Sequence, residues 1–495
     1  MGTRTSTIAL CLGLFGMGCT LTAAPAEGPT DGPRSLAPDQ KDDGKVTPAP
    51  GKALARVVHA APDAPRVDVY VKGVATPVLT GLSYSETSPW IEVDPGTYAF
   101  EVRVSPSTAA DPAVFTTADL AVPAGAKLSA VAAGLVGSKE ADSSFRVLPV
   151  VETFAAAEAG SARVRVIHAG ADAPQVDLDV GADDPSAPEI SAIDRFTATA
   201  GEGAKLPAGK ALRVGIAKDG ASVTKFTTPA LPDGGEILVI ATGLLGGAAR
   251  DRDGFSLLAV GPKGSIGLIK QDPILYALHA GPDAPPVDAF VGTAEIFDNL
   301  AFGGLSAPIQ VSPGSYDVDL FGHTAGSTRP TTTPALSQST GALAAGESYL
   351  VAATGFLAAG AAQPLRLAAY REAFDRSATD PKLRAVHASP DAPKVDIGLA
   401  PHGAINPVLF GGLTFGDASD AMGLTAPVAS LPIGVSPAGQ PSSLVARLTV
   451  PTAAGQRAFV VAAGAISHQQ NGQGFRLLVV DTAPTPWTVT TVLPH

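Results

Sequence analysis

The chain has 495 residues, which is enough for about three domains of average size. Apolar residues make up 45% of it and charged residues only 16%, against about 25% in ordinary soluble proteins, so the chain can bury sizeable cores. A net charge of −12 without a basic run argues against nucleic acid and anionic membrane surfaces as partners, and two cysteines exclude a disulfide framework and a cysteine-based zinc site.

Residues 1–18 predict a signal peptide for export. Arg4 gives a positive start, and the apolar run over residues 8–18 is too short for a transmembrane helix, which needs about 20 residues. Cys19 ends the run and is similar to the cysteine that carries the lipid in bacterial lipoproteins. Cleavage after Ala26 is the alternative, because residues 24–26 have the small-x-small form. We expect a membrane-anchored lipoprotein of the bacterial envelope in preference to a freely secreted protein.

Residues 19–52 predict a disordered tether. Pro, Gly, Asp, Ala and Lys dominate this stretch, and it has few branched apolar residues, so it cannot bury enough surface to fold. A flexible segment of this kind would lift a folded part off a membrane.

Three landmarks recur four times in the same order along the rest of the chain. The first is H-A-x-x-D-A-P-x-V-D, which begins at residues 59, 168, 279 and 387. The second is an apolar run that ends in a glycine, and the third is another apolar run shortly after it. The glycines are Gly134, Gly243, Gly355 and Gly464, where we expect a backbone bend or a positive φ. These landmarks define four repeats, at residues 53–152, 161–262, 272–372 and 381–485.

Each repeat has the pattern of an all-β protein. In repeat 1, strands are expected at residues 54–59, 67–71, 97–104, 115–122, 127–135 and 145–151. Residues 127–135 are almost continuously apolar, which predicts a central strand covered on both faces. The number of short strands predicts four tandem two-sheet β-sandwich domains, immunoglobulin-like or prealbumin-like. The Ala-rich residues 155–159 are compatible with a short linker helix.

The length of the repeat predicts how the domains are arranged. A period of about 110 residues is far above the roughly 20–50 residues of solenoids, so each repeat is large enough for its own core. We therefore expect beads on a string, in which residues 53–152 fold alone.

The run R-V-V-H-A-A-P-D-A-P-R-V-D-V-Y over residues 56–70 resembles the opening of the bacterial family called domain of unknown function 4397. L-S-Y-S at residues 82–85 and P-G-T-Y at residues 95–98 are similar to it as well. Repeats 2 and 4 keep the opening and the last two landmarks but differ in the middle. The resemblance implies a secreted or envelope-attached β module that is commonly found in tandem. It implies no activity, so no catalytic residue is carried over.

One histidine and two aspartates keep the same offsets in all four repeats. The sets are His59, Asp63 and Asp68; His168, Asp172 and Asp177; His279, Asp283 and Asp288; and His387, Asp391 and Asp396. A histidine with two carboxylates is a possible metal-ligand set. The structural interpretation is preferred, because P-D-A-P is a turn in which an aspartate accepts backbone N–H groups, and the histidine ends a strand. We therefore expect no metal and no cofactor, and a calcium site in the acidic loop around Arg252 is disfavoured because the EF-hand spacing is absent.

The sequence has no G-x-S-x-G, H-E-x-x-H or P-loop motif and no cysteine nucleophile in the repeats. We therefore expect a non-catalytic envelope or secreted protein whose repeats display weak binding surfaces or act as a spacer. A carbohydrate-binding or adhesive protein is the first alternative, because Tyr70, Trp90 and Tyr98 could face a glycan. A hydrolase with an unrecognised site is the second. The ligand, protein or glycan, and the oligomeric state are open.

Overall fold

The computed structural model describes residues 46–377, 379–467 and 473–495. These residues form an all-β structure of 36 strands in which no helix occurs, as the sequence predicts. Within these residues there is accordingly no helix with the length and hydropathy needed to cross a membrane. The predicted signal peptide, Cys19 and most of the predicted tether lie outside the described residues.

The strands follow the repeats. Repeat 1 contains β1 (Ala53–His59), β2 (Val67–Val71), β3 (Pro77–Leu82), β4 (Ile91–Val93), β5 (Gly96–Tyr98), β6 (Phe100–Val104), β7 (Phe115–Thr116), β8 (Leu120–Val122), β9 (Lys127–Ala133) and β10 (Arg146–Val151). Repeat 2 contains β11 (Ser161–His168), β12 (Val176–Val180), β13 (Ile190–Ile193), β14 (Ala204–Pro207), β15 (Arg213–Lys218), β16 (Ala221–Thr227), β17 (Glu236–Thr242), β18 (Ser256–Gly261) and β19 (Gly264–Lys270).

The second half of the chain has the same plan. Repeat 3 contains β20 (Ile274–Ala280), β21 (Val287–Val291), β22 (Ala294–Leu300), β23 (Ile309–Gln310), β24 (Asp317–Gly322), β25 (Leu336–Ser339), β26 (Ser348–Thr354) and β27 (Arg366–Arg371). Repeat 4 contains β28 (Lys382–His387), β29 (Val395–Leu399), β30 (Val408–Leu413), β31 (Leu424–Thr425), β32 (Ser430–Pro437), β33 (Ala446–Pro451), β34 (Arg457–Ala463), β35 (Arg476–Asp481) and β36 (Thr488–Val492).

Each repeat pairs two sheets. The first sheet has the order β10-β9-β1-β4 in repeat 1, and the second has the order β3-β2-β6-β7. In the first sheet, β1 lies parallel to β9, and β9 lies antiparallel to β10. Repeats 2, 3 and 4 repeat this arrangement, with parallel pairs β11–β17, β20–β26 and β28–β34. The almost continuously apolar segment predicted as a central strand is β9, which is central in its sheet.

Three features differ from the sequence predictions. The sequence analysis missed β3, which contains a proline and a glycine, and β4, which has only three residues. Residues 155–159 form no helix, and their neighbours are extended or in a turn. The first sheets of repeats 2 and 4 each have a fifth strand, β19 and β36 respectively. These strands lie after residues 262 and 485, where the sequence predicts that the repeats end.

Repeats 1 and 2 pack against each other through the outer faces of their first sheets, meaning the faces that point away from the second sheet. In β1, Val57 points into repeat 1, whereas Val58 is on the outer face. The outer faces share one buried apolar cluster, formed by Val58, Ala60, Val131, Ala133 and Val150 of repeat 1 and Ile167, Ala169, Leu238, Ile240, Leu258 and Val260 of repeat 2.

Repeats 3 and 4 pack in the same way. Their shared cluster includes Leu278 and Leu350 of repeat 3 with Val386 and Val461 of repeat 4. Trp487, just before β36, stacks on Tyr276 with 4.3 Å between ring centroids. The repeats are therefore not separate beads, because the outer apolar face of each first sheet is covered by the neighbouring repeat.

The contacts across the second pair are reciprocal. The guanidinium of Arg366 in repeat 3 lies 4.5 Å from the ring of Phe415 in repeat 4, and that of Arg476 in repeat 4 lies 5.0 Å from the ring of Phe302 in repeat 3. The two arginines occupy the same position in β27 and β35, opposite the last residue of the neighbouring strand. The two surfaces thus meet around a local twofold axis, as in a symmetric dimer interface.

Repeats 2 and 3 meet through polar side chains instead. The carboxylate of Asp272 is buried and accepts a hydrogen bond from Arg213 Nε at 2.9 Å. Arg213 also donates to the carbonyl oxygen of Gln310 at 2.8 Å. The buried carboxylate of Glu372 forms an ion pair with Arg250. Buried hydrogen bonds and ion pairs therefore hold the junction between the two pairs.

Candidate functional site

The four repeated histidines are buried at the end of the first strand of each repeat. Each ring Nε2 lies within hydrogen-bond distance of a proline carbonyl oxygen six residues later, at 3.2, 2.7, 3.0 and 3.0 Å for His59, His168, His279 and His387. A carbonyl oxygen only accepts, so Nε2 carries the proton and donates it. Burial lowers the pKa of all four imidazoles, which keeps the rings neutral at pH 7.

The first repeated aspartate links two loops. In repeat 1, the carboxylate of Asp63 accepts hydrogen bonds from the backbone N–H groups of Val136 and Gly137, both at 2.9 Å. Asp172, Asp283 and Asp391 make the same two contacts with the corresponding loops, at 2.7–2.9 Å. Each carboxylate therefore joins the P-D-A-P turn, or its equivalent, to the loop that follows the landmark glycine.

The second repeated aspartate stabilises a backbone position in the left-handed conformation. Asp68 accepts a hydrogen bond from the N–H of Gly81 at 2.7 Å, and Gly81 has a φ of 68°. The corresponding donors to Asp177, Asp288 and Asp396 are Ala192, Asn299 and Gly412, with φ values of 56°, 52° and 67°. Burial of Asp68 opposes its ionisation, but hydrogen bonds from Gly81, Ser107 and Ser105 outweigh this effect and lower its pKa.

The landmark glycines occupy positions that no other residue fits. Gly134 has a φ of 81°, and a Cβ atom there would lie 2.4 Å from the carbonyl oxygen of Ser144. At Gly243, Gly355 and Gly464 the φ values are 87°, 105° and 85°, and the nearest carbonyl oxygen would be 2.3–2.5 Å from a Cβ. The predicted positive φ is confirmed, and close backbone approach is a second reason for glycine.

One group of potential metal ligands occurs in the described residues, and it is confined to repeat 3. Asp288, Asp298 and His323 have ligand atoms within 4.8 Å of one another. His323 Nδ1 lies 2.9 Å from Asp288 and 3.0 Å from Asp298. The hydrogen bond with Asp288 raises the pKa of His323, which favours an imidazolium between two carboxylates. The other repeated histidines and aspartates form no such group among the described residues.

The three aromatic residues considered for glycan binding do not form an exposed platform. Tyr70 is 1% exposed and lies under Arg103, with 4.5 Å between the guanidinium carbon and the ring centroid. The Trp90 indole N–H donates to the carbonyl oxygen of Pro262 at 2.8 Å, and its ring packs on Arg56. Tyr98 faces the interior of repeat 1. Trp90 thus serves the packing of repeats 1 and 2, whereas Tyr70 and Tyr98 pack within repeat 1.

The acidic loop around Arg252 also belongs to this contact. Arg252 donates a hydrogen bond to the carbonyl oxygen of Tyr84 at 3.0 Å, and its guanidinium lies over the Tyr84 ring. The loop of repeat 2 therefore packs on repeat 1.

Repeats 1 and 3 each contain an apolar cavity between their two sheets. The cavity of repeat 1 has a volume of about 100 Å³, and that of repeat 3 has about 180 Å³. Val57, Ala130 and Val147 of the first sheet and Val69 and Val102 of the second sheet line the first cavity. The buried apolar residues of these repeats form several small clusters.

Repeats 2 and 4 have continuous cores in the same place. One cluster in each joins both sheets, around Leu178 and Phe226 in repeat 2 and around Ile397 and Leu448 in repeat 4. The sequence analysis missed the cavities, although the signal is present. At the register position of Leu178 and Ile397, repeat 3 has Ala289.

The family model described as "Domain of unknown function (DUF4397)" matches residues 53–179 and 274–398, slightly more than half of the chain. Each matched region begins with an odd-numbered repeat and ends in the first part of the even-numbered repeat that follows. No curated protein matches the chain. Among solved structures, the Bacillus anthracis TIE protein is similar at 10% sequence identity over 84% of this chain and 68% of that chain, with a TM-score of 0.14.

Proposed function

The chain belongs to the DUF4397 family, and from this premise we propose that it is an exported, non-catalytic protein of the bacterial cell envelope. In this proposal its paired β-sandwich repeats form a stiff spacer that carries binding surfaces away from the membrane. The observation that carries the proposal is the packing of the repeats. Buried contacts between neighbouring repeats restrict their relative motion, whereas loosely joined domains would move independently.

The contacts between neighbours support stiffness along the described chain. Apolar faces are buried between repeats 1 and 2 and between repeats 3 and 4. Buried charged groups lie between repeats 2 and 3, where Asp272 and Glu372 are each 1% exposed. A buried ion pair restricts orientation, because a shift of one partner leaves the other charge unpaired.

The sequence supports export and anchoring. The apolar run and Cys19 fit a lipid-modified N-terminus, and residues 20–52 fit a tether. The membrane is then contacted only through the lipid. The acidic composition supports the absence of a nucleic-acid partner.

The geometry of the repeated residues supports a non-catalytic role. The histidine Nε2 and both aspartates of each set make hydrogen bonds to the backbone, and the histidines are buried. A general base needs an accessible nitrogen near a substrate. The contacts of Tyr70 and Trp90 inside the protein weaken the glycan-binding alternative.

A test of location uses Cys19→Ala in the full chain expressed in a bacterium with a lipoprotein pathway. We expect the wild-type protein in the membrane fraction and the variant in a soluble fraction, with a lipid mass on Cys19 of the wild type only. A soluble wild-type protein that begins at Glu27 would show that the lipoprotein assignment is wrong.

A test of the spacer role uses small-angle X-ray scattering on the chain from residue 46 onward. We expect a narrow distribution of dimensions, which widens in Asp272→Ala but not in the exposed control Asp219→Ala. A wide distribution of dimensions in the wild-type protein would contradict the spacer proposal. Binding of the same protein to a glycan array would instead support the carbohydrate-binding alternative.

A further inference from the structure

We propose that repeats 1 and 3 each bind a small, uncharged apolar molecule, of the size of a benzene ring or a short alkyl chain, in the cavity between their two sheets. The volumes of about 100 and 180 Å³ bracket the roughly 150 Å³ at which an apolar protein cavity stays dry and takes up benzene.

The two cavities are built from the same register positions. β1 and β20 contribute Ala55 and Leu275, and the paired edge strands contribute Ile91 and Ile309. The residues that line the cavities at equivalent positions of the second sheet are Val69 and Ala289, Val71 and Val291, and Val102 and Leu320. Two separate copies have therefore kept the same space, although many of their side chains differ.

Exposed or half-buried residues border both cavities at equivalent positions of β3 and β22. In repeat 1, Val78 lies at the rim and is 40% exposed, and its counterpart in repeat 3, Ile296, is half-buried beside the exposed Ala294. Tyr98 and Tyr316 stand at equivalent places in the lining. Each phenol donates to a carbonyl oxygen four residues earlier, at 2.8 and 2.6 Å. Their hydroxyl groups are thus satisfied, and the rings offer apolar surface to a ligand.

The cavities exist because one core position holds a large apolar residue in repeats 2 and 4 but a polar residue in repeats 1 and 3. Phe226 of repeat 2 and Leu448 of repeat 4 are buried opposite the inward-facing residues Val214 and Ile433. In repeat 3 the corresponding residue is Gln338. Its amide N–H donates to the carbonyl oxygen of Leu367, and its amide oxygen accepts a hydrogen bond from the N–H of Leu367. A polar side chain fixed to the backbone leaves the interior unfilled where a large apolar residue would occupy it.

The same position in repeat 1 is Thr117. Its hydroxyl accepts a hydrogen bond from the N–H of Phe100 at 2.9 Å. Thr117 and Gln338 therefore have their polar groups turned to the backbone, and neither provides an unsatisfied group that would hold water in the cavity.

The lining determines the chemistry of the ligand. Arg56 is the charged residue that borders the cavity of repeat 1, and its guanidinium is committed to Glu152, Ser129 and the carbonyl oxygen of Gly261. His59 and His279 donate to proline carbonyls. A charged or strongly polar ligand would lose its hydration and gain at most the single acceptor His59 Nδ1, which is buried without a hydrogen-bond partner among the described residues, so the site selects hydrocarbon-like molecules.

The test is a calorimetric titration of the full mature chain with benzene as the probe. We expect saturable binding of two molecules per chain. Ala289→Ile introduces the residue that repeat 4 has at this register position, and Ala130→Val with Val147→Leu introduces the residues of repeat 2. Each change should reduce the stoichiometry to one, and the combination should abolish binding. Ile397→Val in repeat 4 is the matched control and should leave two sites.

A second filling variant and a second measurement keep the proposal open to refutation. Ala277→Val introduces the valine that repeat 2 has at the same register position, Val166. This variant replaces Ala289→Ile in the titration if Ala289→Ile lowers the melting temperature. In the wild-type protein, benzene should shift the methyl NMR signals of Val69, Val102 and Leu320 but not those of Val435. Absence of saturable binding, or an unchanged stoichiometry in folded filling variants, would overturn the proposal.

Discussion

Odd-numbered and even-numbered repeats share a topology but differ in the filling of the core and in the number of strands in the first sheet. Repeats 2 and 4 have a continuous core and a fifth strand in the first sheet. Repeats 1 and 3 have a cavity, four strands in that sheet and a fully buried second aspartate, with Asp68 2% and Asp288 1% exposed. Their counterparts Asp177 and Asp396 are half-buried. The structural unit is therefore a pair of unlike repeats, about 220 residues long, that occurs twice.

The difference shows that, within a pair, one repeat can supply stability while the other keeps an internal cavity. The even-numbered repeat has the filled core and the larger sheet, so it can stabilise the pair. The odd-numbered repeat is supported through the shared outer face and can keep an unfilled interior, which on its own would reduce its stability. Both regions matched by the family model begin with an odd-numbered repeat, in agreement with a paired unit.

The largest expected effect comes from separating the members of a pair. Residues 46–152 alone would expose Val58, Val131 and Val150, each of which contributes roughly 1.5–3 kcal/mol when fully buried. The loss of about 5 kcal/mol or more is comparable with the whole stability of a small domain. We expect residues 46–272 to unfold cooperatively by circular dichroism, and residues 46–152 to be largely unfolded or self-associated. Equal stability of the two fragments would restore the interpretation as independent beads.

The next effect concerns the filled core. Phe226→Ala should destabilise repeat 2 by about 3–5 kcal/mol, because a fully buried aromatic side chain leaves a cavity. Phe226→Leu copies Leu448 of repeat 4 and should cost less than about 1.5 kcal/mol. Gln338→Ala at the equivalent place in repeat 3 should cost about 1–3 kcal/mol, because it removes two hydrogen bonds to Leu367 that are worth about 0.5–1.5 kcal/mol each. Hydrogen exchange of β15 and β24 measures the local effects, and similar losses for Phe226→Ala and Gln338→Ala would contradict the odd–even difference.

Many of the strands can be predicted from the sequence, because short local patterns of apolar and turn residues determine them. Alternation over residues 67–71 and the apolar run from residue 127 predicted β2 and β9, and the turn residues predicted their limits. The sequence analysis misses β3 because Pro77 and Gly81 are untypical of a strand, and it misses β4 because this strand has three residues and pairs with the distant β1.

The arrangement of the repeats could not be read in the same way. An apolar run shows that both faces of β9 are covered, but not whether the cover belongs to the same repeat or to the next one. The cavities depend on small differences in volume, such as Ala289 against Ile397, which appear only once the register is known. The sequence pattern gives no sign of a role for His323, which lies outside the repeated motif, and the fold brings it to Asp288 and Asp298.

A smaller effect distinguishes the buried and half-buried aspartates. Asp68 is buried and accepts hydrogen bonds from Gly81 and from the N–H and hydroxyl of Ser107, so Asp68→Ala leaves three half-buried donors unpaired. We expect a loss of about 2–3 kcal/mol there and about 1 kcal/mol for Asp177→Ala, which loses a backbone bond from Ala192 at a half-buried site. Chemical denaturation of the two variants should give this order, and the reverse order would show that burial does not control the contribution of this residue.

The smallest effect is a pH dependence that differs between the pairs. Burial lowers the pKa of His59 and His168 below the unfolded value of about 6.5, so the unfolded state binds more protons and stability falls as the pH drops below about 6.5. His279 and His387 act in the same direction, but the pKa of His323 is raised by Asp288. Its contribution is present below about pH 6.5 and is lost as the pH rises through its folded pKa.

The two tryptophans allow the pairs to be followed separately, since Trp90 lies in the first pair and Trp487 in the second. Trp487→Phe leaves a reporter for repeats 1 and 2, and Trp90→Phe leaves one for repeats 3 and 4. Between pH 7.5 and 5.5 we expect the fluorescence melting temperature of the first pair to fall more than that of the second. His323→Gln should remove the difference by making the second pair as acid-sensitive as the first. If the second pair is already the more acid-sensitive one in the presence of His323, the imidazolium does not stabilise repeat 3, and the ion pairs with Asp288 and Asp298 do not form in solution.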